Sequence, residues 1–133
     1  MLKKFTALAV ALLFVLATAA YASRIKYGST SQSLAAAVLD YTYNNASSAQ
    51  VLWVSIKASG AITETVTITL DSELGTNYDT VLKTQSLTAA TSFFWMPEGD
   101  LILAPNDGIR VQCTNGGGVE TIYVTVKVME GMG

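Results

Sequence analysis

The feature that most constrains this chain is a strict alternation of aliphatic and polar residues in two separate segments. From 62 to 70, isoleucine, valine and leucine alternate with threonine, with Glu64 as the one exception, and from 121 to 128 every even position is Ile or Val. Successive side chains of a β-strand point to opposite faces, so a period of two predicts strands with one buried and one exposed face. The β-branched residues on both faces favour the same extended backbone.

Further short strands are predicted between clusters of turn-forming residues. The predicted strands cover 50–58, 62–70, 78–87, 92–96, 101–103, 109–114 and 121–128. The alanine-rich segment 34–39 fits either a helical turn or a strand, and its brevity and the following Tyr41-Thr-Tyr43 favour the strand. Ser59-Gly60 is expected to form a turn, and residues 115–118 a hairpin loop. Seven or eight short strands at this spacing predict an all-β fold, specifically an antiparallel β-sandwich with jelly-roll-like character.

The first 22 residues have the layout of a secretory signal. Lys3 and Lys4 precede an apolar stretch over 5–16, and Ala20-Tyr-Ala22 fits a small-residue cleavage site. We therefore expect a hydrophobic helix that is either a signal peptide removed on export or a retained membrane anchor, since 5–22 approaches the length of about 20 residues that spans a bilayer. Both alternatives predict an exported protein (secreted, periplasmic or on a cell surface) or one displayed on a virion.

The rest of the chain is expected to form one domain preceded by an arm. Residues 23–33 are polar and rich in hydroxyl groups, which favours an extended arm or linker, and the sandwich domain is then 34–133. Half of the whole sequence is hydrophobic and only 14% is charged, which indicates a packed core and not a disordered chain.

The composition argues against several classes of function. Histidine is absent, which removes the usual general base near neutral pH and the commonest metal ligand. Cys113 is the one cysteine, so neither an internal disulfide nor a cysteine-rich metal site can form. The formal net charge is −2 without any basic stripe, a balance that disfavours nucleic-acid binding. We therefore predict a protein that is not an enzyme, uses no cofactor and does not bind nucleic acid.

A calcium site is the one metal hypothesis that the residues allow, and only weakly. Asp71, Glu73, Asn77 and Asp79 lie in or beside one predicted loop and carry the oxygen ligands that Ca²⁺ prefers. Their spacing does not match an EF-hand, because the glycine and the closing glutamate are misplaced.

The aromatic residues are the strongest candidates for a binding surface. Phe93, Phe94 and Trp95 are consecutive on one strand, so either Phe94 or the other two must point away from the core, and Trp53 has the opposite parity to Val54. One interpretation is a strand covered on both sides, by the other sheet and by the arm. The other is an exposed aromatic patch that serves as an interface or as a platform for sugars.

The segment from Thr65 to Val128 resembles the small head-decorating and fibre-associated β-domains of tailed-phage particles. The resemblance lies in TLDSELGTNYDTVL, then the aromatic strand SFFWMPEGDLIL, then PNDGIRVQCTN before a closing valine-rich strand. In those domains a Pro-x-Asp-x-Ile-x-Val pattern, here Pro105 to Val111, precedes the penultimate strand. The resemblance implies a component of a symmetric assembly displayed on a particle.

Two functions follow for comparison with the structure. The first is a structural or assembly component of a virion or other extracellular assembly, as a homo-oligomer or in contact with other structural proteins. The second is a secreted or periplasmic bacterial binding or adhesion module, for example for carbohydrate. In both, the expected contact residues are Trp53, Phe93, Phe94 and Trp95 on the sandwich and Arg24, Lys26 and Tyr27 in the arm, and residues 1–22 could contact a membrane.

Overall fold

The computed structural model describes residues 23–131, which contain nine β-strands and one 3-10 turn over Thr76–Tyr78. The strands are β1 (Arg24–Ser33), β2 (Leu39–Asn44), β3 (Ala49–Ile62), β4 (Thr65–Asp71), β5 (Thr80–Ser86), β6 (Ala90–Trp95), β7 (Leu101–Leu103), β8 (Gly108–Cys113) and β9 (Thr121–Glu130). The all-β prediction is confirmed, with nine strands in place of the seven or eight expected. The predicted hydrophobic helix over 1–22 lies outside the described residues.

The strands form two antiparallel sheets that pack face to face. In the first sheet the order is β1-β9-β3-β6, with β7 also pairing with β3, and in the second it is β2-β8-β4-β5. The inward side chains of both sheets build one core, whose largest fully buried members are Leu34, Leu39, Ile56, Ile68, Leu103, Ile109 and Ile122. The alternation seen in the sequence therefore corresponds to one face of each strand packed in this core.

Residues 23–33, which the sequence predicts to be an extended arm or linker, instead contain an integral strand. β1 pairs with β9 at ten successive positions, from Arg24 opposite Glu130 to Ser33 opposite Thr121. The sandwich therefore begins at β1 and not at residue 34. The strand is hard to recognise in the sequence because its buried inward position is Gly28, which has no side chain to mark the core.

Two predicted turns are also different in the structure. Ser59 and Gly60 do not form a turn but lie within β3, where the pairing with β6 is irregular between Lys57 and Ile62. The segment 115–118 does not close a hairpin, because β8 belongs to the second sheet and β9 to the first. A loop rich in glycine and asparagine has the same local chemistry in a hairpin and in a crossing between sheets, so local sequence does not separate them.

The β3–β4 and β8–β9 connections both run from one sheet to the other, and a buried carboxylate forms hydrogen bonds between them. Glu64 lies between β3 and β4 and accepts hydrogen bonds from the Thr114 hydroxyl (2.6 Å) and the Gly116 amide (2.7 Å) in the β8–β9 connection. The Thr114 hydroxyl in turn accepts a bond from the Thr65 amide at 2.9 Å. The one glutamate that interrupts the threonine alternation is thus a structural residue that holds this end of the sandwich together.

Candidate functional site

The outward side of the first sheet carries a row of large side chains that crosses its strands. Tyr27 on β1 and Trp53 on β3 both lie opposite Lys127 of the intervening strand β9, and Phe94 on β6 lies next to Trp53. Tyr27 is 60% exposed and Phe94 is 55% exposed, whereas Trp53 and Lys127 are half-buried between their neighbours. We call this outward side, with these four residues at its centre, the aromatic face.

The rings of the aromatic face contact each other and share one cation. The Tyr27 and Trp53 centroids are 6.2 Å apart in an edge-to-face arrangement, and those of Trp53 and Phe94 are 5.6 Å apart with the ring planes tilted by 42°. The Lys127 ammonium lies 5.5 Å from the Tyr27 centroid and 5.7 Å from that of Trp53. These distances suit aromatic pairing and cation–π attraction, which hold the row in one arrangement without a partner.

A bulge in β3 explains why Trp53 points outward. Val51 pairs with Val128 and Trp53 with Lys127, so two β3 residues advance while β9 advances by one, and Leu52 is the extra residue. Residues two apart on a regular strand share a face, yet Val51 is buried and Trp53 faces outward. The bulge therefore allows Val51 and Val54 to enter the core on either side of an outward tryptophan.

The three consecutive aromatics of β6 divide between the two faces. Phe94 points outward, whereas Phe93 and Trp95 point inward and pack against the core. Trp95 also lines a groove of about 490 Å³ at the open edge of the sandwich, together with Leu82 and the turn from Met96 to Leu101. Of the four sandwich aromatics predicted as contact residues, the structure brings Trp53 and Phe94 together on the surface.

The predicted basic residues of β1 lie towards one end of the strand and outside the aromatic row. Lys26 donates a hydrogen bond of 2.7 Å to the largely buried Glu130 carboxylate, an interaction that lowers the pKa of Glu130. Arg24 is exposed at the start of the strand. Lys26 therefore has a structural partner, and Tyr27 is the residue of this group that joins the aromatic face.

Sequence reasoning missed several members of the aromatic face. Lys127 is the most important, although its odd position in the 121–128 alternation already placed it outward. Ile25, Met129 and Ile102 also share the face, since each pairs across the sheet in the row that contains Gln50. The aromatic face thus continues as an apolar surface towards the end of the sheet where Gln50 lies.

The outward side of the second sheet is polar by contrast. Arg110 on β8 forms a two-point ion pair with Asp40 on β2, at 2.8 and 2.6 Å, and Gln112 lies beside it. The guanidinium holds the pKa of Asp40 below its ordinary value. Thr67 continues this surface on β4. The two sheet faces therefore differ: among the described strands, the exposed large apolar side chains lie mostly on the first sheet (Ile25, Tyr27, Phe94, Ile102 and Tyr123), whereas Val81 lies on the second.

Two of the four residues proposed for calcium accept hydrogen bonds from other groups of the protein. The Asp79 carboxylate accepts a bond from the Ser72 amide at 2.9 Å, and the Glu73 carboxylate accepts one from the Asn106 side chain at 3.3 Å. Across residues 23–131 there is no group of three or more His, Cys, Asp or Glu side chains placed to hold a metal ion. None of the helical segments in that range has the length and apolarity required to cross a bilayer.

The fold and this surface define a two-sheet β-sandwich with one aromatic side, and the same fold occurs in a phage capsid. A chain of the acidic stable capsid structure of Helicobacter pylori bacteriophage KHP30 superposes with a TM-score of 0.54 at 15% identity, over 81% of this chain and 93% of that one. No protein-family model matches the sequence, and a search of curated proteins finds no relative.

Two further solved structures are similar at lower scores. One is the infectious bursal disease virus Gx strain, with a TM-score of 0.43 at 15% identity over 84% of this chain, which spans only 34% of the viral chain. The other is PirA, with a TM-score of 0.43 at 13% identity over 80% of this chain and 92% of that one.

Proposed function

We propose that this protein is a non-enzymatic structural component of a virion or a comparable extracellular assembly, and that the aromatic face is its contact surface. The observation that carries the proposal is the unequal distribution of exposed apolar side chains between the two sheets. A face with Tyr27 and Phe94 open to water on either side of the half-buried Trp53 has the composition of the centre of a protein interface.

The strand order gives independent support. Counting β6 and β7 as one interrupted strand, the two sheets have four positions each, in the orders β1-β9-β3-β6/7 and β2-β8-β4-β5. This is the arrangement of a jelly roll, which viral capsid proteins and lectins share. The similarity to the KHP30 capsid chain extends over nearly the whole of that chain and points to the first of these two uses.

Carbohydrate binding remains the second candidate because the same rings could stack on sugars. The geometry favours it less, since the Lys127 ammonium lies over the Trp53 ring and the Trp53 and Phe94 rings are tilted by 42°. A glycan platform needs an open, flat ring face, whereas a protein interface tolerates tilted rings that interlock with a partner.

Sedimentation velocity of the purified full chain tests the proposal. We expect defined oligomers whose population rises with concentration, and we expect the double change Tyr27→Ser/Phe94→Ser, here called the face variant, to weaken self-association at least about tenfold. Both side chains are exposed, so the fold is retained. Val119→Ser is the matched control, since Val119 is 70% exposed on the β8–β9 connection, away from the aromatic face.

The contrary result is a chain that stays monomeric at every concentration and whose tryptophan fluorescence shifts saturably on titration with glycans. That outcome would replace the assembly function with carbohydrate binding. Oligomers that persist unchanged in the face variant would show that another surface makes the contact.

A further inference from the structure

A second feature of the surface is unexplained by the fold: the β4–β5 loop, residues 72–79, presents two large apolar side chains to water. Leu74 is 74% exposed and Tyr78 is 61% exposed, and neither packs against the core. Between them lies Gly75 at a φ of +106°, a backbone conformation that L side chains rarely adopt. The loop displays these side chains at an end of the sandwich, where β4 leaves the second sheet.

Hydrogen bonds hold this loop in one conformation. The Ser72 amide donates to the Asp79 carboxylate at 2.9 Å, the Glu73 amide donates to the Asp107 carboxylate at 3.0 Å, and the Tyr78 amide donates to the Gly75 carbonyl at 2.9 Å. Asp107 also accepts from the Ala104 amide at 3.2 Å, which ties the loop to the β7–β8 turn. Apolar side chains on a loop fixed in this way are pre-organised for contact with a partner.

The charge of the loop is opposite to that of the aromatic face. The loop and the end of β4 carry Asp71, Glu73 and Asp79, and Glu73 is exposed. The outward strand residues of the first sheet include Lys57 and Lys127 and no carboxylate; Asp100, in the β6–β7 turn, lies at the end of this face, where it accepts a hydrogen bond from Gln50 at 2.7 Å. The acidic β4–β5 loop with its two exposed apolar side chains therefore complements the aromatic face, which carries lysines and apolar rings.

We propose that the β4–β5 loop of one copy docks on the aromatic face of a second copy. Leu74 and Tyr78 enter the surface formed by Trp53 and Phe94, and Glu73 approaches Lys127. The proposal rests on the assembly function proposed above and names its partner. The contact is heterologous, because different parts of the two copies meet, and repetition of such a contact generates rings when the rotation closes and filaments when it does not.

Mixing two complementary variants of the full chain tests the contact. Leu74→Ser/Tyr78→Ser, here called the loop variant, has an intact aromatic face, and the face variant has an intact loop. We expect each alone to self-associate at least about tenfold more weakly than the wild type. An equimolar mixture retains one usable contact, between the loop of the face variant and the face of the loop variant, so it is expected to form a complex of two copies by native mass spectrometry.

The charges give a second readout. Lys127→Glu alone and Glu73→Lys alone are both expected to weaken association, whereas mixing these two variants restores opposite charges at every contact and is expected to recover larger oligomers. Val119→Ser again serves as the control and is expected to behave as the wild type.

The outcomes separate this inference from the proposed function. A loop variant that assembles like the wild type while the face variant does not would overturn the loop docking and leave the aromatic face as an interface. A wild type that is monomeric throughout would overturn self-docking, and two variants that both assemble normally would overturn the role of the aromatic face as well.

Discussion

The contact between β1 and β2 at Gly28 offers the sharpest test of the packing. A Cβ atom added at Gly28 would lie 2.1 Å from Cδ2 and 2.8 Å from Cε2 of Tyr43, and 2.7 Å from the Tyr41 hydroxyl oxygen. Both tyrosines are half-buried, and burial raises the pKa of each phenol. The Gly28→Ala change therefore inserts a methyl group where ring carbons already are.

The cost can be estimated from how little the surroundings can move. β1 is fixed in register against β9, and β2 against β8, so the strands cannot separate without loss of ladder hydrogen bonds. The nearest obstructing atom is Cδ2 of Tyr43, which is close to the backbone and cannot move far, whereas the Tyr41 hydroxyl lies at the end of its side chain. We expect Gly28→Ala to lower the free energy of unfolding by about 2 to 3 kcal/mol, the upper part of the range for overpacking.

Urea denaturation of a double-mutant cycle separates this clash from a backbone effect. Tyr43→Ala removes the obstructing ring and leaves only the Tyr41 hydroxyl to move, so in that background Gly28→Ala is expected to cost less than about 1 kcal/mol; the restriction of the unfolded chain by alanine offsets part of that cost. Ser29→Ala, on the outward side of β1, is the control and should change stability by less than about 0.5 kcal/mol. An equal cost of Gly28→Ala with and without the Tyr43 ring would refute the reasoning.

Two further predictions concern the buried Glu64 carboxylate and the Cys113 thiol. Glu64→Ala removes the acceptor for the Thr114 hydroxyl and the Gly116 amide. We expect the free energy of unfolding, measured by urea denaturation, to fall by about 2 kcal/mol, because two donors lose their partner and water can replace it only in part. A change below about 0.5 kcal/mol would contradict this structural role. Burial raises the pKa of the Cys113 thiol to about 11. The folded protein should therefore resist thiol labelling near pH 8 and lose stability as the pH rises from about 8.5 towards 11, because the unfolded thiol ionises first; rapid labelling of the folded chain would contradict it.

The sequence located most strands because period-two alternation is a local property. In β9 the even positions Ile122, Val124, Val126 and Val128 are all buried, as the alternation predicts. The same rule fails for β1, where the buried inward position is a glycine and the other inward residues are polar, whereas the apolar Ile25 and Tyr27 face outward. A strand whose core contact is made by its backbone and by the side chains of its neighbour leaves no hydrophobic pattern of its own.

The aromatic face was only partly visible in the sequence. Tyr27, Trp53 and Phe94 could each be named as candidates, but their contact depends on β1, β9, β3 and β6 lying side by side. The outward position of Trp53 depends on the bulge at Leu52, which is a property of its pairing with β9.

By itself, the sequence determined the fold class, the period of the strands and the absence of histidine chemistry, because composition and alternation are properties of neighbouring residues. The tertiary structure decided which strands pair, which loops cross between the sheets and which aromatics share a surface. These depend on contacts between residues far apart in the chain, such as Tyr27 with Lys127, and a local pattern carries no information about which distant strand becomes the neighbour.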